Sequence, residues 1–255
     1  MTLLMFIGGT LIGSFLNVCI YRLPQKKSIW RPRSACMHCA SPVPFYLNIP
    51  VLSFLILKGR CHSCHHPISR QYPVVEFLSG VLTAAAFFKF GFSPAMLFYT
   101  LASYFLIVIS FIDLAQGLIY NKQLLLLLAC LLCMNLAFQI IPWPQAVLGF
   151  LAGGFSLFLF ALLGEKVFAK ESMGMGDVKM AAVLGFMLGW KMVLPAMFAG
   201  FFIALLVILF IAAYRRQAPR ESVPMAPFFT MGTLLFIYWG PALLDWYWHL
   251  FITRN

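Results

Sequence analysis

The sequence is poor in charged residues and above all in acids. Charged residues make up 10% of the 255 positions, and only seven residues are Asp or Glu. A soluble domain has about 25% charged residues, and a globule of this length could not bury a composition that is 62% hydrophobic. The composition excludes a water-soluble fold, a disordered chain and a coiled coil. It predicts an all-α protein that crosses a membrane several times.

Apolar runs that could cross a bilayer recur along the chain. About 20 mostly apolar residues cross the hydrocarbon core, and the first such run covers residues 2–21. The others lie at 74–90, 94–112, 124–141, 146–163, 180–190, 192–213 and 228–250. We therefore expect about eight transmembrane helices. The short run at 180–190 is expected either to span only in part or to form a broken hairpin with the next run around residues 189–191.

The basic residues are shared unequally between the two sides of this predicted topology. Arg22 and Lys26 follow the first run and no charge precedes it, which is the reverse of a cleaved secretory signal. With both termini outside, all of the 18 Lys and Arg residues except Lys89, Lys191 and Arg254 fall on the inside, as the positive-inside rule requires. The net charge of +11 therefore indicates loops that face anionic lipid, and it does not indicate nucleic acid as a partner.

Four of the seven cysteines form two Cys-x-x-Cys pairs in the polar segment 22–72. Cys36 pairs with Cys39, and Cys61 pairs with Cys64. Two such pairs bring four thiolates within tetrahedral reach of one Zn²⁺, and disulfides are not expected on the reducing cytoplasmic side. We predict a structural zinc site, because four sulfur ligands leave no position open for water.

Other groups surround these pairs. Four nearby histidines could replace one sulfur ligand, although solvated loop histidines are the simpler interpretation: His38, His62, His65 and His66. The apolar residues 51–57 between the pairs are too few to span the membrane, so we expect them to rest at its interface. A further Cys-x-x-Cys string at 130–133 lies inside an apolar run, where small buried cysteines are ordinary packing residues.

Two of the seven carboxylates stand at the ends of predicted spans. Asp113 ends the third run and Asp177 begins the sixth, so the topology puts both at the inside end of a helix. An ionisable group in a span is costly and is a functional hypothesis by default. Two neighbouring carboxylates provide an acid and a base that share a water molecule, as in aspartyl proteases. A helix cap is the alternative for each residue alone.

The residues around these carboxylates suggest positioning roles. Gly174 and Gly176 precede Asp177 and lack a Cβ atom, so the backbone can turn sharply and a substrate strand can approach closely. Lys179 closes the same string. Glu76 lies just inside the second span, where we expect it to pair with an Arg or Lys of the loop, a direct catalytic or substrate role being the alternative.

Taken together, these motifs resemble one known family, the type IV prepilin peptidases, or leader peptidase/N-methyltransferases. The strings that carry the resemblance run almost from end to end of the chain: Gly13-Ser14-Phe15-Leu16-Asn17-Val18, Arg22-Leu23-Pro24, the two cysteine pairs with Asn48-Ile49-Pro50-Val51-Leu52-Ser53 between them, Arg70-Gln71-Tyr72-Pro73-Val74-Val75-Glu76, Asp113-Leu114, Gly174-Met175-Gly176-Asp177-Val178-Lys179 and Ala226-Pro227-Phe228. One string departs from the family pattern, because Ile119-Tyr120-Asn121 lacks the usual Pro.

The resemblance implies a Gly-x-Gly-Asp intramembrane aspartyl protease with two activities. It implies removal of the basic leader of prepilins and pseudopilins after a Gly on the cytoplasmic side, with Asp113 and Asp177 as the catalytic pair. It further implies N-methylation of the new N-terminal residue, usually Phe, by S-adenosylmethionine. The expected location is the bacterial inner membrane. The expected domains are a first span at 1–21, a four-cysteine cytoplasmic loop at 22–72 and a transmembrane peptidase core at 73–255.

Three alternatives stay open at this point. Cleavage without methylation is one, because no Rossmann-type glycine loop is present, although the four cysteines favour the bifunctional type by resemblance. A transporter or channel could use Asp113 and Asp177 as a proton or cation relay. A membrane scaffold could carry the zinc loop without catalysis, and it would tolerate both Asp substitutions but not the loss of Cys36 or Cys61.

Overall fold

The structure is a computed structural model of the chain, and it describes residues 1–31, 35–36, 38–44, 47, 49–168, 173–215 and 223–251. Asn48 and Arg254, named above, lie outside these ranges. The regular structure within them is helical, which confirms the predicted all-α class. The helices are α1 (Thr2–Arg22), α2 (Leu52–Ile56), α3 (Gln71–Phe90), α4 (Pro94–Gln116), α5 (Asn121–Phe138), α6 (Trp143–Phe168), α7 (Met175–Leu188), α8 (Trp190–Arg215) and α9 (Ala226–Phe251).

Seven helices in the described part of the chain are long and apolar enough to cross a membrane, namely α1, α3, α4, α5, α6, α8 and α9. The protein is therefore a multi-pass membrane protein. The sixth predicted span corresponds to α7, which has only 14 residues. The chain breaks between α7 and α8 at Gly189, whose φ of +75° suits a residue without a side chain. The sequence predicts a break around residues 189–191 at this place.

The apolar loop segment predicted to rest at the interface contains the short helix α2. Its side chains Leu52, Leu55 and Ile56 are 55%, 63% and 73% exposed. Apolar side chains that are directed away from the protein in a segment too short to span are typical of an interfacial helix. The exposure therefore agrees with the expected position of this segment at the membrane surface.

The chain forms two compact units, residues 1–108 and 109–255. In the first unit α1 packs against α3 through small residues four positions apart. A Cβ atom on Gly13 would lie 2.7 Å from the Cα atom of Glu76, and one on Gly9 would lie 2.7 Å from the Ser79 carbonyl oxygen. Such small residues let membrane helices approach backbone to backbone. The sequence-based division at 1–21, 22–72 and 73–255 stays a prediction.

The second unit contains a similar close pair, α6 and α7. A Cβ atom on Gly185 would overlap the carbonyl oxygen of Gly149, and one on Gly153 would overlap that of Ala181. Small residues four positions apart therefore face each other from both helices. The contact fixes α7 directly on α6, and α7 carries Asp177 in its first turn.

Candidate active site and metal centre

Asp113 lies near the end of α4 and is 5% exposed. Its Oδ2 atom accepts a hydrogen bond of 3.0 Å from the backbone N–H of Ala226, the first residue of α9. That N–H has no partner inside its own helix, and the positive end of the helix dipole favours the Asp113 anion. One turn earlier in α4, Ser110 and Thr230 share a hydrogen bond of 2.8 Å. These contacts join the end of α4 to the start of α9.

Asp177 lies in the first turn of α7. Its Oδ1 atom is buried and has no hydrogen-bond partner among the residues that the structure describes. Its carboxylate is close enough to Asp113 for the two to interact electrostatically. The structure therefore brings together the two carboxylates that the sequence singles out, although 63 residues of sequence separate them.

The two carboxylates have different surroundings. Asp113 receives a backbone N–H, whereas Oδ1 of Asp177 receives no donor from the described residues. Neighbouring carboxylates do not both ionise cheaply, and a hydrogen-bond donor favours the charged form of the group that it contacts. The arrangement can therefore hold an ionised Asp113 beside a protonated Asp177. Such a pair can take a proton from water and give one to a leaving group.

The glycines before Asp177 leave room around its carboxylate. Gly174 has extended backbone, with φ −70° and ψ 137°, and a Cβ atom there would lie 3.3 Å from Oδ2 of Asp177. Gly176 faces the loop between α4 and α5, where a Cβ atom would lie 3.0 Å from Cβ of Ile119. A side chain at either position would therefore crowd Asp177 or the loop before α5, and the expected positioning roles of these glycines stay predictions.

Lys179 joins the first turns of two helices. Its Nζ atom donates a hydrogen bond of 3.1 Å to Oδ1 of Asn121, the first residue of α5. Since Lys179 follows Asp177 by two positions in α7, this contact and that of Ile119 with Gly176 hold the start of α5 beside the start of α7. Asn121 belongs to the string that departs from the family pattern, so the altered string still supplies a helix start next to Asp177.

The four predicted cysteine ligands lie together in the first unit. Their sulfur atoms are all within 4.8 Å of one another, and those of Cys36 and Cys64 are 3.8 Å apart. A tetrahedral zinc ion with Zn–S bonds of about 2.3 Å needs S···S distances of about 3.8 Å. The sulfur atoms therefore need only small shifts to bind one Zn²⁺. The clustered ligand atoms belong to the cysteines, without any of the nearby histidines.

The two cysteine pairs have the same local backbone. The N–H groups of Cys36 and Cys61 donate to the carbonyls of Ser41 and His66, each at 2.9 Å. Ala40 and His65 have positive φ values of 56° and 57°, and their N–H groups donate back to Cys36 and Cys61 at 2.9 and 3.0 Å. Each pair is thus a tight turn that presents two sulfur atoms on one side.

Hydrogen bonds favour the metal-binding form of two of these sulfur atoms. Donors from the side chain and backbone of Ser41 lower the pKa of Cys39 to about 6. Backbone donors from Cys64 and Ser63 lower the pKa of Cys61. A backbone donor from His66 also favours the thiolate of Cys64, but the neighbouring cysteines raise the pKa of Cys64 to about 12, because adjacent thiolates repel one another. Since the thiolate is the form that binds metal, a cation such as Zn²⁺ would let all four sulfur atoms ionise together.

Glu76 contacts a backbone amide instead of the expected basic side chain. It is 7% exposed, its Oε2 atom accepts the N–H of Val51 at 2.7 Å, and Ser14 hydrogen-bonds to the same carboxylate. Val51 has φ 60° and ψ −50°, and the N–H of Leu52 donates to Pro50 at 2.6 Å. This tight γ-turn is strained for a β-branched residue. Glu76 therefore holds a strained loop turn, and its expected ion pair with an Arg or Lys of the loop stays a prediction.

Two residues of the dyad's surroundings are found only in the structure. Ala226 acts through its backbone N–H, which no side-chain pattern reveals, although the prolines on either side of it could have signalled a helix start. Gln123 is buried in the first turn of α5. Gln123 directly precedes the leucines of the apolar run 124–141, and its residue type alone does not distinguish it from a polar residue at a helix end.

Two models of known protein families match successive parts of the chain. Residues 7–90 match the bacterial peptidase A24 N-terminal domain, and residues 100–209 match the type IV leader peptidase family. The two matches leave out all of α9 and parts of α1, α4 and α8. The chain belongs to the type IV leader peptidase family.

Several relatives share most of its length. A prepilin leader peptidase/N-methyltransferase of Legionella pneumophila is 33% identical, with 92% of this chain and 90% of the relative aligned. Proteins of the same name from Aeromonas hydrophila and Bacillus subtilis are 32% and 35% identical. Their alignments cover 96% of this chain in both cases, and 92% and 96% of the relatives. No solved structure matches the chain.

Proposed function

We propose that the chain is a membrane-embedded aspartyl endopeptidase and N-methyltransferase that acts on type IV prepilins and pseudopilins. It removes the basic leader after a Gly on the cytoplasmic side, and it methylates the new N-terminal residue, usually Phe. The observation that carries the proposal is the electrostatic interaction between the carboxylates of Asp113 and Asp177. Relatives of the chain are named for both activities.

The surroundings of the two aspartates support distinct roles in cleavage. The water oxygen attacks the carbonyl carbon of the Gly while Asp113, held as an anion by the Ala226 N–H, takes a proton from the water. Asp177 gives its proton to the amine nitrogen as the C–N bond breaks. The new N-terminus leaves as a neutral amine, and the proton passes from Asp113 back to Asp177 before the next cycle.

The positioning residues act through the backbone. Gly174 and Gly176 leave space in which an extended substrate strand can reach Asp177. Lys179 holds the starts of α5 and α7 together. Glu76 fixes the loop turn at Val51, and we assign it to the ordering of the cytoplasmic loop and not to proton transfer.

Location and partners follow from charge and apolar length. We place the protein in the bacterial inner membrane, with both termini in the periplasm and the dyad near the cytoplasmic face. The apolar helix of the prepilin stays in lipid while its basic leader reaches the inside interface. The basic loops face anionic lipid headgroups, and the charge pattern gives no reason to expect nucleic acid.

Two cofactors belong to the proposal. Cys36, Cys39, Cys61 and Cys64 hold a structural zinc ion that fixes the fold of their loop. S-adenosylmethionine supplies the methyl group for the second activity. The described residues contain no strand that leads into a glycine-rich helix start, as a Rossmann-type site requires. We therefore assign the donor to no residues of this chain.

The test is a cleavage and methylation assay with a synthetic prepilin. The purified protein is incubated with and without methyl donor, and the products are weighed by mass spectrometry. We expect a shortened product without donor and the methylated form with donor. Asp113→Asn or Asp177→Asn should slow cleavage by about 10³-fold or more, whereas Asp245→Asn, an exposed position of α9, should cleave normally.

Each outcome of this assay separates one alternative. Shortening without methylation would identify a peptidase alone. No shortening by the folded wild-type protein, or normal shortening by either dyad variant, would overturn the assignment. The transporter alternative predicts instead a pH-dependent flux into proteoliposomes that the Asp113→Asn variant lacks.

A further inference from the structure

Gln123 has a buried amide group to which none of the described residues hydrogen-bonds. The residue is 8% exposed, and neither Nε2 nor Oε1 has a hydrogen-bond partner in the part of the chain that the structure describes. An unmet polar group in a protein interior carries the full cost of leaving water. Two such atoms on one side chain therefore call for a ligand that supplies both an acceptor and a donor.

The position of Gln123 is next to the first turn of α7. α5 packs against α7, and the buried residues of α5 form one face: Gln123, Leu124, Leu127, Leu131 and Asn135. The hydrogen bond between Lys179 and Asn121 sets the two helix starts at the same level. Gln123 and Asp177 therefore lie in the first turns of two adjoining helices.

A third buried polar atom without a hydrogen-bond partner among the described residues lies in the first turn of α7. Oδ1 of Asp177 is buried and unpaired among the described residues, like the two atoms of Gln123. The loop residue Ile119 lies against Gly176 in the same region. A group that binds here meets one amide donor, one amide acceptor and one carboxyl oxygen.

The chemistry of an amide selects one class of ligand. A cation would use only Oε1, and an anion only Nε2, so each would leave the other atom unpaired. The N–H and C=O of one residue in an extended strand point to the same side, so one strand residue satisfies both atoms of Gln123 at once. A substrate of the proposed function presents such groups on either side of the bond that Asp113 and Asp177 cleave.

We propose that Gln123 binds the backbone N–H and C=O of one substrate residue next to the scissile bond. Its Oε1 accepts the substrate N–H, and its Nε2 donates to a substrate carbonyl. The role rests on the proposed peptidase function. It makes Gln123 a substrate-binding residue that fixes the register of the extended strand against Asp177.

Gln123→Met tests the role because it removes both polar atoms and keeps the length of the side chain. We expect kcat/KM for a peptide with a basic leader, a Gly-Phe bond and an apolar segment to fall about 10-fold or more, mainly through KM. The thermal midpoint of the detergent-solubilised protein should stay the same or rise, since two unpaired buried groups are gone. Gln145→Met is the matched control, because this exposed glutamine lies at the other end of α7, near Gly189.

A second measurement locates the contact on the substrate. Backbone amides on both sides of the Gly-Phe bond are replaced one at a time by esters, which lack the N–H. At one position the ester should cost the wild-type enzyme about 5-fold or more in kcat/KM and cost Gln123→Met nothing further, because the two changes remove the same hydrogen bond.

The outcomes are separate from those of the proposed function. Wild-type kcat/KM in Gln123→Met would mean that the amide holds only a water molecule, and it would overturn the inference. Ester penalties that are equal in both proteins at every position would do the same. If the folded wild type fails to cleave the unmodified peptide, the peptidase assignment itself fails, and the role of Gln123 falls with it.

Discussion

At the scale of single residues, the position of the Asp177 carboxylate depends on the lack of a side chain at Gly174. Gly174 has backbone angles that any residue can adopt, so a turn does not require glycine here. The reason for glycine is the distance of 3.3 Å between its missing Cβ position and Oδ2 of Asp177. The residue therefore serves the position of the carboxylate.

Gly174→Ala should accordingly impair catalysis without impairing folding. The new methyl group displaces the Asp177 carboxylate by a few tenths of an ångström. We expect kcat to fall about 3- to 10-fold with little change in KM, because small misplacements of a catalytic group are costly. Steady-state kinetics on a prepilin peptide measures both constants. Gly8→Ala, where a Cβ atom meets nothing within 4 Å, should behave as wild type, and an unaltered kcat in Gly174→Ala would contradict this account.

The sequence reveals residues here only where rarity or side-chain type singles them out. The chain has only seven acids, so each acid can be considered singly, and Asp113 and Asp177 stand out among them. The contact of Ala226 comes from its backbone, and the partner of Glu76 is also a backbone amide. Such partners depend on how distant segments pack, so residue types alone predict an ion pair for Glu76 and no role for Ala226.

At the scale of elements, the two cysteine turns form a matched pair. Equivalent backbone bonds close each turn, and an isolated β-bridge flanks each turn, between Ala35 and Pro42 and between Arg60 and Pro67. Each turn alone presents two sulfur atoms, so neither completes a tetrahedral site. A hydrogen bond of 3.0 Å between the Ser41 and Ser63 hydroxyls and the stacked rings of His38 and His66 already join the two turns. A metal ion bound by all four sulfur atoms would fix the two turns further.

Removal of one sulfur ligand should release the metal. We expect the purified wild-type protein to contain one zinc ion per chain and Cys61→Ser to lose it, because a site with three sulfur ligands binds structural zinc far more weakly. A colorimetric chelator measures the zinc released on unfolding. Cys130→Ser, within α5, is the control and should keep full zinc content. A zinc-free wild type prepared in the presence of zinc would refute the site.

The close helix pairs show which part of the fold can be predicted from the sequence. Gly9 and Gly13 stand four positions apart, as do Gly149 and Gly153, and this spacing is a known signal of tight membrane packing. The spacing predicts that one face of a helix packs closely, but it does not identify the helix that packs there. The pairing of α1 with α3 and of α6 with α7 depends on how all the helices pack together.

At the scale of the whole molecule, the number of crossings decides on which side the chain ends. The seven long helices of the described residues alone would put the termini on opposite sides. Both termini lie outside only if α7 also crosses. The loop before α9 favours that eighth crossing, because Arg215, Arg216 and Arg220 would otherwise fall on the outside.

A reporter fused after residue 255 tests the crossing of α7. We expect alkaline phosphatase at this position to be active, because it folds only outside the cytoplasm, and green fluorescent protein to be dark. Both reporters after Lys58, in the cysteine loop, should give the opposite result. A fluorescent and phosphatase-inactive C-terminal fusion would show that α7 does not cross.

The shortness of α7 also affects what lies beyond its ends. Its 14 residues rise only ~21 Å, against the ~30 Å of hydrocarbon in a typical bilayer. Most of these residues are buried, and α7 packs against α5, α6, α8 and α9, so protein and not lipid surrounds it. A short helix among longer ones leaves room at its ends within the depth of the membrane, where water is tolerated because protein shields it from lipid. The length of α7 thus becomes a way of admitting water beside Asp177 without exposing that water to the bilayer.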